Sequence, residues 1–158
     1  MGARLVVNVG TPEQRDALLQ HFHDQWSSQN LVMNQWLSLQ STRPADDCVE
    51  TVRALQTHPL FDWRNPNKLR ALVGAFAAGN PVAFHREDGA GYALLADTVA
   101  HIQADNPQIA ARMLTPLTRW RRYAHNQAKM RAELERIAGL DNLSRDVFEV
   151  VNRSLAGD

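Results

Sequence analysis

Cysteine is nearly absent from this 158-residue chain, Cys48 being the single one. A lone thiol forms no internal disulfide, which excludes a disulfide scaffold and fits a reducing compartment with a small, buried Cys48. Net charge is missing as well, because 17 lysines and arginines face 17 acidic residues. No global field therefore steers the molecule toward nucleic acid or an anionic membrane. No stretch reaches the roughly 18 apolar residues of a membrane span. Met1-Gly2-Ala3-Arg4-Leu5-Val6-Val7 is too short for the apolar core of a signal peptide and its cleavage site. A soluble, cytoplasmic protein is expected.

Catalytic signatures are missing too. There is no H-E-x-x-H, no G-x-S-x-G, no Walker loop and no dinucleotide fingerprint. The six histidines are His21, His23, His58, His85, His101 and His125. Only His21 and His23 are close in sequence, and residues two apart on a helix point to different sides. A position near a helix start lowers a thiol's pKa, but Cys48 has no evident histidine partner, so a structural thiol is expected. The chain by itself is expected to hold no catalytic residue, no metal site and no cofactor.

What is present is helix grammar. Asn65-Pro66 opens a helix, with the asparagine as cap and proline at the first helical position. Leu69, Leu72, Val73 and Phe76 then recur as one apolar stripe, until Gly79-Asn80-Pro81 ends the rod and offers a second cap. Asn106-Pro107 repeats the device. Three such caps point to similar helix pairs placed in series.

The remaining elements follow the same rules. Thr11-Pro12-Glu13-Gln14 is a capping box that opens a helix running to about Ser28, with Leu18, Leu19, Phe22 and Trp26 on its apolar face. A second helix spans about Leu31 to Gln40, with Val32, Trp36 and Leu39 on one side, and stops at Arg43-Pro44. Asp46 or Asp47 caps a third, whose Cys48, Val49, Val52 and Leu55 face inward. Phe61 and Trp63 tuck beneath the next junction. A short turn at Pro81 to His85 and a loose Asp88-Gly89-Ala90-Gly91 lead to a helix over Tyr92 to Ala104. The helix from Pro107 buries Ile109, Ala110, Met113, Leu114 and Leu117, and Pro116 kinks it. His125 to Ile137 forms a charged helix ended by Gly139. Ser144 caps the last one, with Leu143 stapled against Phe148 and Val147, Val151 and Leu155 docking the C-terminus. The fold class expected is all-α: antiparallel helix pairs stacked as an α-solenoid of the armadillo or HEAT kind, about eight helices in all.

The same residues carry a family resemblance. Asn65 to Tyr92 resembles the matching segment in the C-terminal helical domain of bacterial aminopeptidase N, the zinc-dependent alanyl aminopeptidases. So do V-M-N-Q-W at Val32 to Trp36, E-T-V-R at Glu50 to Arg53, and N-P-Q-I-A-A-R-M-L-T-P-L at Asn106 to Leu117. K-M-R-A-E-L-E at Lys129 to Glu135 and L-D-N-L-S-R-D at Leu140 to Asp146 complete a collinear series from about Gln20 to Ala156. The resemblance implies that residues 11–158 are the C-terminal domain of such an enzyme and residues 1–10 a lead-in or truncation junction. In the parent, zinc, its ligands and the general base would lie in a thermolysin-like domain outside this chain. The parent would remove N-terminal residues from peptides, and this domain would cover the cavity and control peptide access. Its partners would be the catalytic and preceding domains of the same polypeptide and peptide substrates. Because a solenoid starting partway along exposes an apolar end, self-association of the chain is expected as well.

The resemblance also implies roles for two arginines. Arg70, in N-P-N-K-L-R, and Arg112, in A-A-R-M-L, match arginines that face the enclosed cavity in the family. Guanidinium groups suit that place because they stay charged and fork onto a carboxylate. Two other readings stand beside this one. A helix continued past Pro116 would align Arg112, Thr115, Arg119 and Arg122 as a basic face with Trp120 and Tyr123 interleaved, a nucleic-acid-like pattern, but an ordinary solvated face with the aromatics turned to the core is the expected reading because the rest of the chain cancels the charge. A free-standing α-solenoid adaptor binding a protein or RNA on its concave side is the alternative to a peptidase domain.

Overall fold

A computed structural model of the chain describes residues 7, 8, 10–26 and 29–156. Most of the expected lead-in (residues 1–6 and 9) lies outside the described residues, as do residues 27 and 28, where the first helix is expected to end. Every regular element among the described residues is helical, in agreement with the all-α expectation. We number α1 Pro12–Trp26, α2 Asn30–Ser41, α3 Cys48–Leu55, α5 Pro81–Phe84, α6 Ala90–Ile102, α7 Pro107–Met113, α8 Thr115–Thr118, α9 Gln127–Ala138 and α10 Arg145–Ala156. Between α3 and α5, α4 runs without interruption through Pro66–Leu69, a π-helical turn Arg70–Gly74, and Ala75–Gly79. Among the described residues ten helices stand where about eight were expected, because Pro81–Phe84 closes a helical turn of its own and the rod from Pro107 is interrupted at Leu114. The chain divides into two compact units, Met1–Ala83 and Phe84–Asp158.

In the first unit α4 is the buried rod. Leu69, Leu72, Val73 and Phe76 are all fully buried, as their spacing predicts. Burying four such side chains contributes about 1.5–3 kcal/mol each, against the entropy of ordering them. Asn65 caps the start, its Oδ1 accepting from Asn67 N at 2.9 Å and Lys68 N at 3.4 Å. The π turn is not legible in the sequence. The Ala71 carbonyl within it accepts the Ser38 hydroxyl at 2.8 Å and the Ser41 hydroxyl at 3.4 Å, so α2 satisfies a group that a π turn displaces from the regular ladder. These contacts also revise the face expected of α2. Met33, Trp36, Leu37, Gln40 and Ser41 are buried while Val32 and Leu39 are only half-buried, because α2 packs against α1, α3 and α4 together. The third helix buries the expected Cys48, Val49, Val52 and Leu55. By contrast α1 buries none of its residues; Leu18, Leu19, Phe22 and Trp26 are half-buried, and Leu31 at the start of α2 is 74% exposed.

The second unit shows how the helix pairs stack. Gly89 at φ 79° turns the chain, and Asp88 Oδ1 accepts from Ala90 N at 3.0 Å, so α6 begins two residues before Tyr92. Contacts between the α6 and α9 segments join residues 39 to 42 apart in sequence: Gln103 to Asn142, Asn126 to His85, Ser144 to Gln103 and Lys129 to Glu87. A nearly constant separation means that α6 and α9 run in the same direction, each followed by a returning helix. This is the geometry of a solenoid with a repeat near 40 residues. Trp120, Arg121 and Thr118 all meet Ser154, which ties the end of α10 to α8 and the turn after it, and α10 also packs on α7.

Pro116 does more than bend its helix. Lacking an N–H, it leaves the Arg112 carbonyl without its helical donor, and Thr115 Oγ1 takes that carbonyl at 2.9 Å. The last helix departs from expectation at one position. Ser144 caps it through Val147 N at 3.4 Å and Val147 and Val151 are buried, but Phe148 is 49% exposed. Phe148 follows Val147 directly and so lies about 100° around the helix from it, off the buried face.

Asn80 is the tightest polar junction of the first unit. It is 1% exposed, its Nδ2 donates to Ser41 O at 2.9 Å and Arg43 O at 2.7 Å, and its Oδ1 accepts from Ala83 N at 3.3 Å. Asn80→Ala removes all three of these buried hydrogen bonds, and we expect it to lower the unfolding free energy by roughly 1–3 kcal/mol in urea titration.

Candidate functional site

Arg70 and Arg112 belong to different units, and each has its own surroundings. Arg70 is the first residue of the π turn, exposed, with Nη1 donating to Asn67 Oδ1 at 3.3 Å. Gly74 lies one turn on, where an added Cβ would stand in ordinary contact, 3.8 Å from the Arg70 Cβ. Two residues earlier on the same helix Lys68 is 3% exposed and its Nζ has no hydrogen-bond partner. Burial pushes the ammonium below its ordinary pKa. The Oδ1 of Asn34 on α2 is buried without a partner too. No sequence signal marks this lysine, which reads as one more solvated charge between Asn67 and Leu69.

Arg112 is exposed on α7 and lines a groove of about 370 Å³. Thr115 and Thr118 of α8 continue its wall, and Val150, Arg153 and Ser154 of α10 form the other side. No carboxylate lines it. Arg153 was not singled out in the sequence, because only the packing of α10 along α7 and α8 brings it beside Arg112. The aligned basic face is not what forms. The helix ends at Thr118, so Arg119 and Arg122 leave the line of Arg112 and Thr115 and do not line the groove. Trp120 is buried, donates from Nε1 to Ser154 Oγ at 3.2 Å, and is covered by the Arg121 guanidinium at 4.1 Å. Arg121 also donates to Ser154 O at 2.7 Å. Both are thus turned to the end of α10, where a cation meets carbonyls that lack helical donors.

The histidines group in ways their spacing conceals. His23 and His58 meet edge to face at 5.3 Å, and Trp36 lies against both. His58 Nδ1 accepts from Leu60 N at 3.1 Å, and burial, with His23 beside it, pushes His58 below its ordinary pKa. His85 Nδ1 stands 2.6 Å from the Tyr92 hydroxyl and its ring stacks on Tyr123 at 4.2 Å. Burial pushes Tyr92 up to about 12, so its hydroxyl keeps its proton. Burial pushes His85 down as well. Cys48 is fully buried, its Sγ 3.3 Å from the carbonyls of Gln40 and Ser41, and burial pushes it up to about 11. That is an inert structural thiol, as expected. Among the described residues no three His, Cys, Asp or Glu side chains gather as metal ligands.

The chain matches, over residues 1–156, the family described as "Domain of unknown function (DUF3458_C) ARM repeats". It is 49% identical over 143 residues to aminopeptidase N of Escherichia coli, an alignment covering 90% of this chain and 16% of that protein. Aminopeptidase N of Haemophilus influenzae is 44% identical over 142 residues, covering 89% of this chain and 16% of the relative. For Caulobacter vibrioides aminopeptidase N the identity is 45% over 152 residues, with 96% and 17% covered. The crystal structure of Legionella pneumophila aminopeptidase A in complex with aspartic acid superposes with a TM-score of 0.90 at 31% identity, covering 97% of this chain and 18% of that one. The chain thus spans about a sixth of the length of the curated relatives it matches. It corresponds to the C-terminal helical domain expected from the motif series.

Two consequences of the buried groups are measurable. Lys68→Met removes an ammonium buried without a partner, and we expect it to raise the unfolding free energy by roughly 1–3 kcal/mol in urea. His58 and His85 both bind protons less readily folded than unfolded. Below the unfolded value of 6.5 the unfolded chain therefore takes up more protons, and stability falls as pH drops through that point. Urea midpoints measured from pH 8 down to 5 should hold level above about 6.5 and decline beneath it, with a shallower decline in His85→Gln.

Proposed function

This chain belongs to the DUF3458_C family of ARM-repeat domains, and from that premise we propose that it is the non-catalytic C-terminal domain of a cytoplasmic zinc aminopeptidase. The parent removes N-terminal residues from peptides. Its zinc, ligands and general base lie in the larger part of the polypeptide, and this domain covers the catalytic cavity and governs which peptides enter it. Collinear identity of 44% and 49% to two aminopeptidases N, each about six times the length of the match, carries the reading.

Within that reading Arg70 and Arg112 face substrate. Both are exposed and neither is paired with a carboxylate among the described residues, so their guanidinium groups are available to a peptide's acidic groups or carbonyls. The half-buried apolar residues of α1 and the exposed Leu31 are the surface on which the preceding domain docks, with self-association the outcome when that domain is missing.

In the full-length enzyme an Arg70→Ala, Arg112→Ala double variant should lower kcat/KM for short peptides by about tenfold or more, the effect of losing charged hydrogen bonds to substrate. Turnover equal to that of the unaltered enzyme would show that neither arginine meets the peptide. An enzyme active on peptides after deletion of residues 11–158, and no less selective against folded proteins, would remove the access role.

A further inference from the structure

Most arginines of the second unit are committed to partners. Arg86 holds Asp88 at 2.9 Å, Arg131 holds Glu135 at 2.8 Å, Arg145 holds Glu149 at 3.0 Å, and Arg136 bridges Asp97 and Glu133. Arg121 is spent on the carbonyls at the end of α10. Arg112 and Arg153 differ. Their guanidinium groups have no partner among the described residues, yet they share one groove that no carboxylate lines. Two unneutralised cations on facing walls repel each other, and an anion between them removes that cost.

The remaining polar lining narrows what the groove offers. Thr115 Oγ1 donates to Arg112 O at 2.9 Å, Thr118 Oγ1 to Thr115 O at 2.7 Å, and Ser154 Oγ to Thr118 O at 3.4 Å. The three hydroxyl hydrogens are therefore given to backbone, and the donors left for a ligand are the guanidinium N–H groups. These are planar forks, matched to a two-oxygen acceptor. Ala111 and Val150, with the threonine methyls, supply an apolar wall beside them. At about 370 Å³ the groove is at the small end of ligand sites, which run roughly 300–1,000 Å³.

We infer that this groove binds the free C-terminal carboxylate of a peptide, with Arg112 and Arg153 gripping the carboxylate and the last side chain lying on Ala111 and Val150. The preference for an anion stands on the groove itself. The choice of a peptide as its bearer rests on the reading of the chain as a peptidase domain, and on the apolar wall, which a bare inorganic anion would leave unused.

The test is a titration of the 158-residue chain, followed by calorimetry or by amide chemical shifts, with three probes: N-acetyl-dialanine as the free acid, its C-terminal amide, and inorganic phosphate. The free acid should bind at least tenfold more tightly than either other probe. Arg153→Gln should weaken the acid about tenfold toward the level of the amide while leaving the urea midpoint unchanged, since the replaced side chain is exposed and unpaired. Arg112→Gln, made separately, should do the same. Equal binding of acid and amide, or acid binding untouched in both variants, overturns the assignment. Phosphate binding as tightly as the acid overturns it as well, replacing a peptide subsite by a general anion site. Peptide turnover by the full-length enzyme is read apart from this. A groove that binds the acid in an enzyme indifferent to Arg112 would keep the inference and remove the substrate role.

Discussion

The buried carboxamide of Asn80 ties the end of α2 to α5. It donates to the carbonyls of Ser41, the last residue of α2, and of Arg43 just beyond it, and accepts the N–H of Ala83 within α5. A helix pair can be buried against its neighbours only when such groups at its ends are satisfied, because apolar surroundings offer no water to replace them. The same residue type serves at Asn65 and Asn106, each just before a proline that starts a helix without a wasted donor. Asparagine followed by proline is therefore the recurring joint of this chain, and the rods between the joints are free to be apolar on more than one side.

Once the joints hold, the groups displaced inside the rods have to be absorbed by neighbours. The π turn of α4 shifts the Ala71 carbonyl toward α2, where Ser38 and Ser41 receive it. Pro116 frees the Arg112 carbonyl, which Thr115 receives. These two repairs sit on the helices that carry Arg70 and Arg112. A π turn and a proline interruption each change the direction in which following side chains leave the helix. Arg70 opens the first irregularity, and Arg112 lies in the last regular turn before the second.

Much of this was legible beforehand. The Asn-Pro caps, the stripe Leu69, Leu72, Val73 and Phe76, the inward face of α3 and the buried Cys48 all follow from local rules applied to adjacent residues. The misread parts share one cause. The buried arc of α2 is wider than its hydrophobic spacing because three helices cover it, and Phe148 is exposed because α10 turns Val147 and Val151 inward instead. The basic alignment past Pro116, which ranked behind an ordinary solvated face, does not form, since the helix ends at Thr118 and the Trp120 indole donates to Ser154. In each case a partner distant in sequence outweighed a local periodicity.

By itself, the order of amino acids determined the helical class, the positions of the joints, the family and the absence of a catalytic motif, because each depends on residue types at short spacing. Only the tertiary structure decided that His23 lies against His58, that Lys68 is buried without a hydrogen-bond partner, and that Arg153 lines one groove with Arg112. Such placements arise from contacts between segments some 30 to 40 residues apart in sequence. Over such distances the chain records no relation between the partners beyond the shape into which it folds.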